Sequence, residues 1–358
     1  MPTSPDLLDC PHSRSCAGCP LSDTPYPAQL LWKREKLAAA LAPYAYVSQA
    51  PVTETQPAQA HRAYRVRAKL VVDGAALGLF SQVGHAVLDI PNCRVLTPRV
   101  AGAVAAVRAA LPFEFPLLAL DAREVDAGVL LTLIVAPDVA KRSVEACARR
   151  LVAAHSEIVG VSLSRRAPRS PRVLGSEPEA LLGLAAAPHH FSASAPFHLA
   201  TPGGFVQAHA GQADQLHARI EQALSDELSG LRGRHVLELY AGAGALALRL
   251  AASGAHVTAA DSYAPSLSQA RHAAEAQHLK LDLLEASAEH ALEPGGPLDA
   301  LIVDPPRRGL TPEVRRGIAA RKPRALILCV LRARHVGSRL GSPGGARAIT
   351  EVDSNRGT

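Results

Sequence analysis

Three of the six cysteines lie close together in the segment DCPHSRSCAGCP, as Cys10, Cys16 and Cys19, and Cys93 follows alone in DIPNCRVLTP. Four thiolates, three of them local and one distant, can ligate a [4Fe–4S] cluster or a zinc ion. Zinc sites more often use two C-x2-C pairs, and only one pair is present here. The spacing therefore favours an iron–sulfur cluster, with zinc as the second interpretation and unliganded thiols as the third.

A glycine-rich turn follows a short apolar segment in HVLELYAGAGALALRLAASGAHVTAAD. Gly242 and Gly244 allow the backbone to turn sharply and to approach a ligand closely. Asp261 ends the next predicted strand, where a carboxylate can accept hydrogen bonds from both hydroxyls of a ribose. The same letters also satisfy the dinucleotide pattern G-x-G-x-x-G/A, and a purely structural turn is a further alternative.

A second chemical motif, ALIVDPPRRGL, ends the fourth predicted strand of the same half. Asp304 and the two prolines after it would place a carboxylate and a rigid backbone in the ligand crevice of a parallel sheet. Together with the glycine-rich turn, this motif resembles the class I S-adenosylmethionine (SAM) methyltransferases much more than NAD-dependent dehydrogenases.

Five segments, in order along the chain, resemble the RNA uracil-5-methyltransferase family. The cysteine segment is similar to the iron–sulfur motif of its ribosomal-RNA branch. AYRVRAKL, GFVQAHAGQADQL, ELYAGAG and DPPRRGL are similar to its other motifs. Two positions depart from the family pattern: His209 stands where the family has Asn, and Ala241 where it has Cys. The resemblance implies SAM contacts at Gln207, Tyr240, Asp261 and Asp304, and 23S ribosomal RNA as the substrate. Transfer RNA is the alternative substrate.

The resemblance also implies a covalent mechanism that needs a cysteine just after the fifth strand. In that mechanism a thiolate adds to C6 of uracil, C5 attacks the methyl group, a base removes the C5 proton and the thiolate is expelled. The target uridine must first be unstacked from the neighbouring bases of the RNA. No family-type cysteine motif follows Val330. Cys329 is a weak candidate, because a buried strand thiol explains it better.

A shift of the reading frame explains the missing motif. Codons for Val330 to Leu340, read from the second base of the Val330 codon, can encode Ser-Cys-Ala-Pro-Gly-Thr-Trp-Ala-Arg-Asp. This sequence matches the family motif in register, and almost all the third bases it requires are G or C. The cysteine would span the Leu331 and Arg332 codons. We therefore expect the chain as printed to bind SAM and RNA poorly or only partly, and not to methylate. A catalytically dead RNA-binding remnant is the corresponding alternative.

Basic residues near these motifs could contact RNA phosphates. One group alternates along a predicted strand, a second lies in a loop and a third flanks the Asp-Pro-Pro motif. They are Arg65, Arg67 and Lys69, then Arg165, Arg166, Arg169 and Arg172, then Arg307, Arg308, Arg315 and Arg316.

The elements that must position these residues divide the chain near residue 200. Residues 1–199 are predicted to form a mixed α+β domain that carries the cysteine motif and binds RNA. Residues 200–358 contain short apolar strands that alternate with helical segments. This alternation predicts an α/β, Rossmann-like class I methyltransferase fold with a doubly wound, mostly parallel sheet. Residues after about 330 are atypical.

Composition bounds the remaining possibilities. With 48% hydrophobic and 20% charged residues the chain is too apolar for a disordered one, and 358 residues suffice for two cores. No apolar run is long enough for a membrane helix and no signal peptide is evident, so we expect a cytoplasmic location. We also expect a monomer. The net charge of +6 agrees with a polyanionic partner, although the excess of Arg over Lys also fits a GC-rich gene.

Overall fold

The computed structural model describes residues 6–43, 51–82, 84, 86–168, 170, 173–293 and 295–329, and the backbone of 347–351. The first half forms a seven-stranded sheet with the order β3-β2-β1-β4-β5-β6-β7, antiparallel except for the β5–β6 pair. Its elements are α1 (Tyr26–Leu41), β1 (Arg67–Asp73), β2 (Ala76–Phe80), β3 (Val87–Asp89), α2 (Pro98–Ala109), β4 (Leu117–Val125), β5 (Gly128–Val135), α3 (Lys141–Ala154), β6 (Ile158–Arg165) and β7 (Glu179–Gly183).

Apolar strands and two helices build the core of this half. Every residue of β5, GVLLTLIV, is buried, as expected of an inner strand covered on both faces. Helix α2 begins after Thr97, whose hydroxyl accepts a hydrogen bond from the Val100 amide, and Pro98 occupies its first turn. Between α2 and α3 the chain forms two strands, β4 and β5, which make an antiparallel pair.

The second half forms a six-stranded sheet in which every pair is parallel, with the order β12-β11-β10-β13-β14-β15. The predicted doubly wound fold is therefore confirmed. Between the two sheets along the chain comes a two-stranded ribbon of β8 and β9. The elements are β8 (Ala187–His189), β9 (His198–Ala200), α4 (Ala210–Leu228), β10 (His235–Leu239), α5 (Ala245–Ala252), β11 (His256–Asp261), α6 (Ala264–Ala276), β12 (Asp282–Glu285), α7 (Ala288–Ala291), β13 (Ala300–Val303), α8 (Pro312–Arg321), β14 (Ala325–Cys329) and β15 (Arg347–Glu351).

Alternate residues of this sheet enter two separate cores, one on each face. Val236 and Ile302 pack on the face covered by α4, and Leu237 and Val303 pack on the opposite face. The chain moves outward from β10 in one direction and from β13 in the other. Ligands of such sheets bind at this switch point, beyond the carboxyl ends of the strands.

Contacts between the two halves involve segments on both sides of residue 200. Leu37 and Leu41 of α1 pack in the second-half core beside Tyr240 and Leu310, although α1 belongs to the first predicted domain. The Gln277 side chain hydrogen-bonds both backbone groups of Phe197. The boundary at residue 200 stays a prediction. No helix in the described part of the chain has the length and apolarity needed to span a bilayer.

Candidate active site

The glycine-rich turn connects the end of β10 to the first turn of α5. Tyr240, Gly242 and Gly244 all have positive φ, at 62°, 56° and 72°. A Cβ on Gly242 would meet nothing within 4 Å, whereas one on Gly244 would lie 3.0 Å from Ala270 Cβ. Gly242 therefore leaves open space beside the loop for a ligand, and Gly244 allows α5 to pack closely against α6.

Asp261, the last residue of β11, holds this loop through its carboxylate. The Gly242 amide donates to its Oδ2 and the Tyr263 amide to its Oδ1, both at 2.8 Å. Each carboxylate oxygen has two lone pairs, so both can still accept a hydrogen bond from a ribose hydroxyl. Asp261 is therefore oriented for the contact that the sequence predicts, with its loop already in place.

A buried acid that the sequence analysis did not select lies beneath the loop. Glu238, on β10, is 5% exposed, and its Oε2 has no hydrogen-bond partner among the described residues. Burial, followed by the nearby carboxylates of Asp304 and Asp261, raises the pKa of Glu238 to about 8, while a hydrogen bond from the Ala247 amide opposes that rise. A single acidic residue at the end of the apolar strand HVLEL was the available sequence signal. A cationic ligand would stabilise these three carboxylates together.

A cavity of about 650 Å³ adjoins this crevice through Pro306 and Arg307, which directly follow the Asp304-Pro305 pair. Gln207 lines it, as do all four cysteines of the predicted cluster. Five cationic side chains line it as well: Arg65, Arg67, Lys69, Arg94 and Arg307. Among the described residues, no Asp or Glu lines this cavity. The structure thus joins the SAM-type crevice to a positively charged cavity.

Comparisons with known proteins agree with this geometry. Residues 236–319 match the family described as methyltransferase domain. An uncharacterised RNA methyltransferase of Geobacter sulfurreducens is 24% identical over 343 residues, which cover 89% of this chain and 67% of that protein. A similar protein of Parasynechococcus marenigrum is 26% identical and matches 88% of this chain and 70% of its own length. The chain is a homologue of RNA methyltransferases.

Two further similarities concern uracil-C5 enzymes. A 23S rRNA (uracil(747)-C(5))-methyltransferase of Pyrococcus horikoshii is 39% identical over 95 residues, 26% of this chain and 22% of that one. The crystal structure of Pyrococcus abyssi tRNA (uracil-54, C5)-methyltransferase with S-adenosyl-L-homocysteine superposes with a TM-score of 0.74 at 20% identity, covering 94% of this chain and 79% of that chain. The latter similarity confirms the fold of this RNA methyltransferase homologue.

The four cysteines of the homologue are neighbours rather than a preformed ligand set. Burial, followed by repulsion from Cys93, Cys16 and Cys10, raises the pKa of the Cys19 thiol to about 11. The Gly18 amide donates to Cys16 Sγ at 3.3 Å. Within the described residues, no group of three or more His, Cys, Asp or Glu side chains is arranged as a metal site. The donor chemistry fits a cluster or zinc, because four soft thiols share one cavity.

Arg67 has a structural role instead of the phosphate contact that its strand position predicted. Its guanidinium is 7% exposed and binds both oxygens of Asp121. The same guanidinium donates to the Gly204 carbonyl, as does that of Arg123 at 3.3 Å. Two buried arginines and one buried aspartate therefore fix the turn that precedes Phe205 and Gln207. Lys69, Arg307 and Arg308 are exposed, as the phosphate hypothesis requires.

The nucleophile cannot be assigned within the described residues. Cys329 ends β14, is 5% exposed and belongs to the hydrophobic core with Ile327 and Val236. Thiols buried in apolar surroundings are weak nucleophiles, so Cys329 stays a weak candidate. The segment in which the frame shift was inferred, from Val330 to Leu340, lies outside the described residues, as do Arg169 and Arg172.

Proposed function

We propose that this RNA methyltransferase homologue transfers a methyl group from SAM to C5 of a uridine in RNA, and that its substrate is 23S ribosomal RNA. The observation that carries the proposal is the junction at Pro306. There the crevice at the ends of β10, β11 and β13 meets a cationic cavity lined also by Gln207. One side suits a cationic nucleoside cofactor and the other suits a polyanion.

Each residue around the crevice contacts a different part of SAM, which supplies an electrophilic methyl group. The Asp261 carboxylate accepts hydrogen bonds from the ribose hydroxyls and also from the Gly242 amide of the loop. Gly242 lets the ligand approach the backbone, because no atom fills the space where a Cβ would lie. Asp304 provides negative charge for the cationic end of the ligand, above the buried carboxyl group of Glu238, whose raised pKa a bound cation would lower. Tyr240 and Gln207 complete the proposed contacts.

Methyl transfer to C5 of uracil also needs a thiolate nucleophile, because C5 alone is weakly nucleophilic. We place that nucleophile in the frame-restored sequence after β14, at the cysteine that spans the Leu331 and Arg332 codons. The chain as printed lacks this cysteine. Its proposed behaviour is therefore weak or partial binding of SAM and RNA without turnover.

We further propose that Cys10, Cys16, Cys19 and Cys93 hold a [4Fe–4S] cluster, with zinc as the second candidate. The bound group would supply metal–thiolate bonds that join the cysteine segment to the region after β3. The backbone of this segment already docks on β2, since the Gln82 side chain donates to the Cys16 carbonyl at 2.9 Å. Iron and sulfide analysis against zinc analysis of the purified chain distinguishes the two groups.

The experiment that tests the proposed function compares two RNA classes with the frame-restored chain. Unmodified 23S ribosomal RNA and unmodified transfer RNA are incubated with SAM, and nucleoside mass spectrometry measures 5-methyluridine. Product in 23S RNA alone supports the proposal. Product in transfer RNA alone supports the alternative substrate, which the similarity to the Pyrococcus abyssi enzyme favours. Gel filtration of the same sample tests the proposed monomer. We also propose a cytoplasmic location.

A further inference from the structure

Two exposed phenyl rings line the cationic cavity beside the crevice. Phe80 is 49% exposed and Phe205 is 62% exposed, and both contribute to the cavity wall. Exposed large hydrophobic side chains are few among the described residues, so their presence at one cavity is a notable arrangement. Aromatic faces combined with Arg and Lys side chains are the common surface for unpaired bases of single-stranded nucleic acid.

The two rings lie at different parts of the cavity. Phe205 stands two residues before Gln207, in the turn that Arg67 and Arg123 hold at Gly204. Phe80 ends β2, and the next residue, Ser81, forms a bridge with Cys16. Phe80 therefore belongs to the cysteine side of the cavity, whereas Pro306 and Arg307 mark the side at the SAM-type crevice.

Charge complementarity identifies the occupant of the Phe80 side. Lys69 is exposed on β1, the strand that pairs with β2, and Arg94 is exposed directly after Cys93. The described lining contains no carboxylate, so nothing in it would repel a phosphate. A base stacked on Phe80 would carry its phosphates among these cations.

We propose that Phe80 stacks on an unpaired nucleotide of the RNA substrate that neighbours the target uridine, with Lys69 and Arg94 on its phosphates. This surface makes the enzyme select a single-stranded loop over a duplex. The inference rests on the proposed function for the identity of the polymer as RNA and of the target base as uridine.

Binding rather than turnover tests this inference, so the chain as printed is a suitable sample. The probes are an RNA hairpin with a uridine-containing loop that carries 2-aminopurine beside a uridine, and a blunt duplex of the same length. The variants are Phe80→Ala, Phe80→Leu, which keeps apolar bulk without a π face, and Phe80→Tyr, which keeps the ring. Leu184→Ala is the matched control, because Leu184 is 43% exposed outside this cavity.

We expect Phe80→Ala and Phe80→Leu to bind the hairpin roughly tenfold or more weakly, the loss of one base–aromatic stack, and to abolish 2-aminopurine quenching. Phe80→Tyr and Leu184→Ala should bind it like the unmodified chain, and duplex affinity should not change. Lys69→Gln should instead lower the salt dependence of binding.

Equal hairpin affinity of Phe80→Ala and the unmodified chain would overturn the inference, and so would equal losses for hairpin and duplex. Far-ultraviolet circular dichroism verifies that the variants are folded, and Phe80→Tyr keeps the test decisive if Phe80→Ala is not. Failure of the proposed function gives a different result. In that case the frame-restored chain makes no 5-methyluridine, while the preference for the hairpin loop still depends on Phe80.

Discussion

The backbone amide of Gly242 donates a hydrogen bond of 2.8 Å to Oδ2 of Asp261, the last residue of the neighbouring strand. The other oxygen of that carboxylate accepts from the Tyr263 amide. One side chain thus fixes the glycine-rich loop and the approach to α6, and presents its remaining lone pairs to the crevice. The loop and the proposed ribose contact depend on the same carboxylate.

Replacement of Asp261 by Asn or Ala should weaken SAM binding by roughly tenfold to hundredfold, the contribution of hydrogen bonds to a charged group. Isothermal titration calorimetry with the chain as printed measures the dissociation constant. Asp282→Asn is the control, because Asp282 is exposed at the amino end of β12. SAM affinity that stays the same in Asp261→Ala would remove Asp261 from the site.

The Glu238 carboxyl should make stability depend on pH. Burial and the neighbouring carboxylates raise its pKa from 4.5 to about 8. An acid whose pKa is higher in the folded than in the unfolded chain binds a proton on folding, so the free energy of unfolding falls as pH rises from about 4.5 to about 8. Glu238→Gln should flatten this slope in urea unfolding, and exposed Glu285→Gln should not. An unaltered slope in Glu238→Gln would contradict the protonated state.

Buried histidines should make the protein less stable as the pH falls, which is the opposite pH dependence from that of Glu238. His189 is 4% exposed and packs edge-on against His198 with ring centroids 5.2 Å apart. Burial, followed by the positive charge of Arg123, lowers the pKa of His189 to about 4. The contribution of neutral His189 to the free energy of unfolding is therefore fully present above pH 6.5, and it is lost as the pH falls towards 4.

His189→Phe should reduce this acid sensitivity, because phenylalanine fills a similar volume and takes up no proton. Urea unfolding between pH 7 and pH 5 measures the change. Exposed His256→Phe on β11 provides the comparison. If His189→Phe and the unmodified chain lose equal stability between those pH values, the acid sensitivity comes from other groups.

The pair of Arg67 and Asp121 should be important for folding. Asp121→Asn leaves Arg67 and Arg123 buried without their shared negative charge, and breaking a buried pair costs about 3–5 kcal/mol. Glu157→Gln in the exposed pair with Arg99, whose side chains are 42% and 43% exposed, should cost less than about 1 kcal/mol. Equal costs in urea unfolding would show that Asp121 has no special role.

Local patterns predicted the parts of the site that lie within one segment. Gly242, Asp261 and Asp304 each end or follow an apolar strand, and the order of strands along a parallel sheet brings such ends together. Arg67 was misjudged because its partner Asp121 is 54 residues away on β4. Strand alternation alone does not reveal that a charged side chain is buried.

Long-range contacts also determine the features that the sequence did not indicate. The packing of Leu37 and Leu41 against the second sheet joins segments about two hundred residues apart. The Phe80 side of the cavity likewise depends on how the cysteine segment docks on β2. Such contacts follow from tertiary packing, and helical or strand periodicity carries no information about them.

Tritium release from RNA labelled at C5 of uridine tests uracil-C5 methylation most directly, because transfer to C5 must expel the C5 proton. The chain as printed and the frame-restored chain are compared with and without SAM. We predict SAM-dependent release by the restored chain, reduced release by its Asp261→Ala variant at a SAM concentration below saturation, and background release by the printed chain. Background release by a restored chain that binds both SAM and RNA would contradict the proposed function.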